Sequence, residues 1–503
     1  NTGDVYAVNG WEAMPYDNHS GIVDIYRNCK GNPSTFTYYT QPLYVAVSPR
    51  TQFVHLPGKV PVDFYIVNEK NLSGKYRLSV SVCTPDGKEG KHIEKEVHIT
   101  GGDCFGQLLL ENCQLAIEGA SGLYQVKAQL RNTSGHLCAE GKDEVLGIYW
   151  DEKQLKGKGA LYGTPDDPVA TFYQKATGCE LPAFRSDMEK LDWIVVTRSS
   201  LDAPQPVPVE AFCQKEGKSV LELSLYKDDD LRTLAGVTQD NKIDRTFADG
   251  AQPDPLLPAN QSFSAIWDGK LKAPQSGTYM IGVTSDQGMR LSVNGQRIVD
   301  EWRNNKELTV VRPFLLKAGD EVAVRVEYSQ RNPTGSVQLV WSLPDHAAIA
   351  PQELLDRVRE DGTSLLLLKS AESWMDAVSA YTGSAYHGYY SVGKNWVGGV
   401  HFVKEHPLFN GLPVNVAMGW PYQALVRNGD RRLGLHIDNE ELVAGSYSSA
   451  PFNLGSAVGI ISCGKGKIYY STLDLVDNLN NPAAAADVAR KLFCNFILLS
   501  KDR

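Results

Sequence analysis

Few residues in this chain have the types and spacing to do chemistry. Ser370 and Ser373 follow an apolar run from Ser364 to Leu368, and His401 and His406 lie further along. A serine hydroxyl beside an imidazole base is the core of acyl transfer, which would make an esterase or amidase. The Gly-x-Ser-x-Gly elbow that usually exposes such a nucleophile is absent, and the two histidines sit in a Pro/Gly-rich loop where such residues more often bond the backbone. Gly464-Lys-Gly-Lys467 is too short for a phosphate-binding loop and reads as a hairpin turn. Nine cysteines occur without a C-x-x-C pair, which speaks against a zinc ribbon or a disulfide scaffold and predicts that most are small buried apolar residues. Trp267 and Trp302 could stack on a sugar face or fill a core. Asp286-Gln287 precedes Gly288, so the carboxylate can cap a turn while the glycine is expected to allow a left-handed backbone.

The elements that must position these groups follow from length and pattern. A chain of 503 residues, 42% apolar, exceeds what one core can organise. Lys+Arg 50 against Asp+Glu 59 gives a net charge of -9 with no basic block, so nucleic acid is excluded as an expected partner. No apolar run is long enough to predict a membrane span. From Pro42 to about Gly147, apolar and polar residues alternate, as in Val60 to Val67, Tyr76 to Val82, Glu94 to Ile99 and Leu123 to Leu130. That pattern predicts an immunoglobulin-like β-sandwich over 46–149. Leu191 to Thr197 and Ser364 to Leu368 read instead as buried strands of a parallel α/β sheet, with helices over Val169 to Thr177, Gln352 to Arg359 and Ala483 to Leu499. Strands return between Ser219 and Pro344, including Gly277 to Val283 and Val322 to Tyr328. The chain is therefore read as multidomain, mainly β plus α/β, with an all-β domain over 218–343 inserted into an α/β domain made of 150–217 and 344–503.

The inserted segment carries the sharpest resemblance. Trp267-Asp-Gly-Lys-Leu-Lys-Ala-Pro-Gln-Ser-Gly-Thr-Tyr279, Thr284-Ser-Asp-Gln-Gly-Met-Arg-Leu-Ser-Val-Asn-Gly295 and Val299-Asp-Glu-Trp302 resemble the protective-antigen (PA14) β-sandwich domain. The resemblance implies a module often appended to glycosidases and adhesins, in some members binding sugar through calcium held by two adjacent aspartates. Here that pair reads Asp286-Gln287, and exchanging a carboxylate for an amide removes charge that a hard cation needs. It leaves Asp286, Gln287, Trp302 and Asn294 as carbohydrate-binding candidates, Asp286 as the metal candidate and calcium as the cofactor in question.

Two further resemblances set the context. Val8-Asn-Gly-Trp-Glu12, Asp17 to Asp24 and Tyr39 to Tyr44 resemble the end of the catalytic barrel of glycoside hydrolase family 2, the β-galactosidase group, making residues 1–45 a barrel remnant. Glu12 and Asp17 are then candidates to line a sugar site. The two catalytic carboxylates of that family would come from strands before Asn1, so an upstream catalytic domain is the expected partner and no catalytic residue is assigned. Gly399 to Pro413, Met418 to Gln423 and Gly464 to Asp474 resemble the glutamine-amidotransferase-like, flavodoxin-type α/β domain at the end of some such hydrolases, here without a nucleophilic cysteine after Leu368. That domain is expected to serve packing or homo-oligomer contacts. The reading is a non-catalytic, secreted, periplasmic or cell-surface accessory region that binds carbohydrate and scaffolds domains. Its alternatives are a stand-alone carbohydrate-binding adhesion protein and an esterase or amidase.

Overall fold

The computed structural model describes residues 23, 26–29, 32–90, 92–102, 104–164, 166–200, 204–215, 218–219, 221–343, 351–392, 399–426, 432–449 and 452–501. Two compact units form, one from residues 1–197, 357–369 and 387–503, the other from 198–356 and 370–386.

The first unit opens with a sandwich. A three-stranded sheet (Leu43–Pro49, Gly58–Asn68, Gly106–Ile117) faces a five-stranded one (Phe53–His55, Leu137–Ile148, Gly122–Arg131, Gly74–Cys83, Ile93–Ile99). Period-two sequence makes this inevitable: Tyr124, Val126, Ala128 and Leu130 are buried on one face of their strand while the residues between them are half-exposed. They meet Val60, Val62, Phe64 and Ile66 from the opposite sheet. The Tyr124 hydroxyl donates to the carbonyls of Ala120 (2.7 Å) and Glu118 (3.1 Å), which ties the start of its strand to the preceding loop.

The rest of this unit is a mixed sheet of ten strands. Gly159–Tyr162, Trp193–Val196, Ser364–Leu367 and Gly466–Ser471 run parallel, in register Trp193↔Gly159, Trp193↔Ser364 and Leu365↔Ile468. Phe452–Cys463, Glu441–Ser449 and Gly399–Val403 extend it antiparallel. Trp193 to Val196 are 0% exposed, which is why no polar residue interrupts them. Helix Pro168–Thr177 starts where the Asp167 carboxylate accepts the Val169 N–H and stops at Gly178, φ 73°. The closing helix covers Asp487–Leu499, shorter than the expected 483–499 because Ala484–Ala486 forms a separate tight turn. Phe53, Leu146 and Ile148 of the sandwich join Leu366, Val458, Leu492 and Phe496 in one core. Of the nine cysteines, all free, only Cys83, Cys463 and Cys494 are buried, which corrects the expectation that most would be. Cys29 and Cys179 lie outside strand or helix interiors and are exposed.

The second unit is a second sandwich. Leu234–Asp240, Leu221–Tyr226, Phe263–Lys272, Glu321–Gln330, Gly288–Val293 and Gln296–Glu301 form one sheet. Gln205–Pro206, Gly335–Ser342, Gly277–Ser285 and Leu308–Leu316 form the other, with Asp244–Phe247 added beside Gly335–Ser342. Between them Phe247, Phe263 and Tyr328 pack at 5.0 to 6.0 Å between ring centroids, and Trp267 lies 6.5 Å from Tyr328. Such pairs add about 0.5–1.5 kcal/mol each beyond burial. Trp267 is 1% exposed and its indole N–H donates to Asp240 at 3.1 Å, so this tryptophan is core rather than a sugar platform. Asn294 and Gly295 take φ 49° and 79°, the paired positive values of a tight hairpin joining Gly288–Val293 to Gln296–Glu301.

One close approach in the first sandwich is testable. A Cβ on Gly141 would lie 1.6 Å from the Val45 carbonyl oxygen, and Val45 is held by its pairing with Ile66. Gly141→Ala should therefore lower stability by about 1–3 kcal/mol, read as a lower melting temperature, whereas Gly106→Ala, with open space around it, should shift it by less than about 0.5 kcal/mol. Equal shifts for the two variants would show that the sandwich does not depend on this contact.

Candidate functional site

At one end of the second sandwich three loops converge around the buried amide of Gln287. Gln287, 3% exposed, donates from Nε2 to the Thr334 carbonyl (3.1 Å) and accepts at Oε1 the N–H groups of Arg331 (3.2 Å) and Asn332 (3.4 Å). Its own carbonyl accepts from Asn304 Nδ2 (3.2 Å), which also donates to Ser285 and Lys306 carbonyls. One residue thereby ties the two loops, its side chain holding 330–334 and its backbone carbonyl holding 302–306. Asp286 points the other way: its Oδ1 accepts the Ser336 N–H (2.7 Å) and hydroxyl (3.3 Å).

Charge surrounds this knot in paired form. Arg331 bonds Asp229 (2.8 Å) and donates to the Trp302 carbonyl (2.7 Å). Arg290, paired with Asp300 at 2.9 Å, lies 4.3 Å from the Trp302 ring centroid. Trp302 is 9% exposed, so its face carries a guanidinium rather than open solvent. Gly288 is needed for space: its φ is not positive, contrary to the expected left-handed turn, and a Cβ there would fall 2.4 Å from the Trp302 carbonyl oxygen. Asp228 receives the backbone N–H groups of Arg232 (2.9 Å), Thr233 (2.6 Å) and Asp230 (3.1 Å), which hold its carboxyl down at about 2.

The 330–333 loop also walls a cavity of about 690 Å³, lined across from it by residues 244–253 and 260–262. Thr246, Asp249, Gln252, Asn260 and Asn332 give it exposed hydroxyl, carboxylate and amide groups, and Phe247 lies beneath. This is an exposed surface rich in hydrogen-bonding groups.

The other expected residues fall elsewhere. Asn294 sits at the opposite end of the Gly288–Val293 strand, where its Oδ1 accepts the Ala323 N–H at 3.0 Å. Glu12 and Asp17 lie outside the described residues. Calcium does not fit the Asp286-Gln287 pair, because one Asp286 oxygen is committed to Ser336 and the amide is turned inward. Among the described residues, the grouping of three candidate metal ligands is elsewhere, at His387, His436 and Asp438. For the serine-nucleophile alternative, Ser373 Oγ donates to the Ser370 carbonyl (2.7 Å) and accepts the Ser200 N–H (3.1 Å), so its proton rests on a backbone oxygen, not a base. The sequence offered a signal for Asp286-Gln287 but none for the cavity, which is assembled from three separated loops.

Comparison with known proteins gives this unit a family. Residues 217–354 match the model of the PA14 domain, so a PA14 domain is present in the chain. Among curated proteins the chain is similar to Anti-sigma-I factor RsgI3 of Acetivibrio thermocellus, 29% identical over 117 residues, which are 23% of this chain and 18% of that protein. It thus spans less than a fifth of that relative's length. Among solved structures it is similar to an anti-sigma factor domain-containing protein, at 16% identity over 60% of this chain and 87% of that one, TM-score 0.24. It is also similar to the Epithelial Adhesin 9 A domain of Candida glabrata in complex with Galb1-4GlcNAc, at 11% identity over 30% and 91% of the two chains, TM-score 0.21. The glycoside hydrolase family 2 and amidotransferase resemblances are not shown by these comparisons. The chain is mainly β, and the parallel stretch expected of an amidotransferase-like domain is continued by antiparallel strands.

Two substitutions probe the knot. Gln287→Glu keeps size but sets an anion against the Thr334 carbonyl, so at pH 7 it should cost about 1–3 kcal/mol relative to the parent. Burial raises that glutamate's folded value, so the cost grows as pH rises above about 4.3 and vanishes below it, where the protonated group donates again. Urea midpoints of both proteins at each pH read this out, and a pH-independent difference would refute it. Asp228→Asn should cost less than about 1 kcal/mol at pH 7 in this solvated turn. Because the Asp228 value is depressed, its contribution is complete above about 3.9 and is lost as pH falls through about 2, so the gap between parent and variant should close over that window.

Proposed function

We propose that this chain is a carbohydrate-binding and scaffolding protein whose PA14 domain takes a glycan into the 244–253/260–262/330–333 cavity without calcium. The observation that carries the reading is the cavity's lining: Asp249, Asn260 and Asn332 offer carboxylate and amide groups within a domain that matches the PA14 model. Sugars present many hydroxyls, and fixed side-chain amides and carboxylates are what pair with them. Gln287 acts as a positioning residue here, since its amide sets the 330–334 wall.

In this reading the other domains carry and space the module, and a surface or secreted setting follows from a glycan ligand. The likeness of residues 1–45 to a barrel end supports a place beside a sugar-cleaving domain. The similarity to a protein named as an anti-sigma-I factor favours, as a second reading, the same module in an anti-sigma factor setting.

Calorimetric titration of the full chain with a panel of galactosides and plant-type oligosaccharides tests the reading. A binding glycan should lose about tenfold or more in affinity, about 1.4 kcal/mol, in Asn332→Ala and in Asp249→Ala. EDTA should leave the affinity unchanged. Heat that disappears with EDTA would overturn the calcium-free site, and the absence of any glycan heat, or an affinity in both variants equal to the parent's, would overturn the assignment.

A further inference from the structure

The described part of the first unit holds a ligand set that nothing above uses. His387 lies on strand Tyr386–Val392, which pairs with strand Arg432–Ile437, and His436 lies near the end of that second strand. Asp438 follows two residues on, so His436 and Asp438 project to the same side where the chain turns toward strand Glu441–Ser449. Asn439 makes that turn with φ 58°. His387 Nε2 and Asp438 Oδ1 are 2.9 Å apart, and the two imidazole rings lie 4.7 Å apart at 42°. One ligand atom from each of the three residues falls within 4.8 Å of the other two.

We propose that His387, His436 and Asp438 form a binding site for a divalent transition-metal ion, with Zn²⁺ as the reference metal. Three features point to it. First, the chemistry suits the ion: two imidazoles are borderline nitrogen donors and, with one carboxylate beside them, favour Zn²⁺, Cu²⁺ or Ni²⁺ over Mg²⁺ and Ca²⁺, which take all-oxygen sets. Second, the three groups are exposed, with side-chain exposures of 46% and 50% for His387 and Asp438, so water can complete the coordination. Third, the turn is anchored from below. Glu440 accepts hydrogen bonds from the Ser456 hydroxyl (2.5 Å) and from the Tyr470 hydroxyl, so its carboxylate is turned inward and the strand that bears the ligands is held in place. A His–Asp hydrogen bond alone explains one of these contacts and leaves the second imidazole beside it without a reason.

Titrating the untagged full chain, stripped with EDTA and then dialysed, with Zn²⁺ alone provides the test. One equivalent should bind. His387→Ala and His436→Ala should each weaken binding by at least about tenfold, and Asp438→Asn by a smaller factor. Excess Mg²⁺ or Ca²⁺ should not compete. With Cu²⁺, the electron paramagnetic resonance spectrum should show coupling to two nitrogens, falling to one in either histidine variant, a readout that a merely structural role would not move. No binding, or binding indifferent to both histidine variants in chains that keep the parent's circular dichroism, would overturn the site. Since the glycan experiment reads different residues, either proposal can fail alone.

Discussion

A buried amide must be paired or it costs more than it contributes, and one loop end of the PA14 domain is organised by such a group. Gln287 has one carbonyl oxygen and one amino group to satisfy, and it spends them on the Thr334 carbonyl and the Arg331 and Asn332 N–H groups. Three backbone groups of a loop are thereby held by one side chain. A carboxylate at this position would keep the two accepted N–H bonds but face the Thr334 carbonyl with charge. The sequence departure that weakens a calcium site is thus the same one that makes the 330–334 wall rigid.

The surrounding ion pairs do a different job. Arg290, Arg297 and Arg325 face Asp300, Asp268 and Glu327 along neighbouring strands, with side-chain exposures from 10% to 50%. The pairs of Asp300 and Asp268 are solvated and contribute little net stability, because Coulomb gain is offset by screening and side-chain ordering, whereas Glu327 is buried and its charge is met by three arginines. The sandwich is held by Phe247, Phe263, Trp267, Tyr328 and the aliphatic residues around them. The Arg290 guanidinium over Trp302 is a further exception, since a ring that is 9% exposed gives the cation a partly dry surface. That contact covers the Trp302 face.

Much of the fold was legible because it is local. Alternation over Val60 to Val67, Tyr76 to Val82, Glu94 to Ile99 and Leu123 to Leu130 reports burial on one face, and each run lies inside an observed strand. Asn294-Gly295 needs positive φ at both positions and so announces its hairpin. The candidate site was legible only as far as Asp286-Gln287. What those side chains touch comes from 50 residues away for Asp286 and Ser336, and the Arg331–Asp229 pair spans 102 residues. No periodicity encodes such partners. The His387–Asp438 contact, 51 residues apart, escaped for the same reason, although His436-x-Asp438 at strand spacing was a signal in plain view. Gly288 was read for the wrong property, because a glycine that provides room and one that provides a positive φ look alike in sequence.

The mixed sheet shows how a parallel element can be assembled from distant pieces. Trp193–Val196 lies between Gly159–Tyr162 and Ser364–Leu367, all three parallel, so the third strand enters after the long excursion of residues 198–356. A strand with neighbours on both edges and helices near its faces must be apolar throughout, which is what Trp-Ile-Val-Val provides. The price in folding is loop closure, but that entropy grows only with the logarithm of loop length, so a folded excursion is tolerated where a shorter, strained one would not be. An independent sandwich inserted at this point can therefore vary its loops, including the one Gln287 holds, without disturbing the register that Trp193 shares with Gly159 and Ser364.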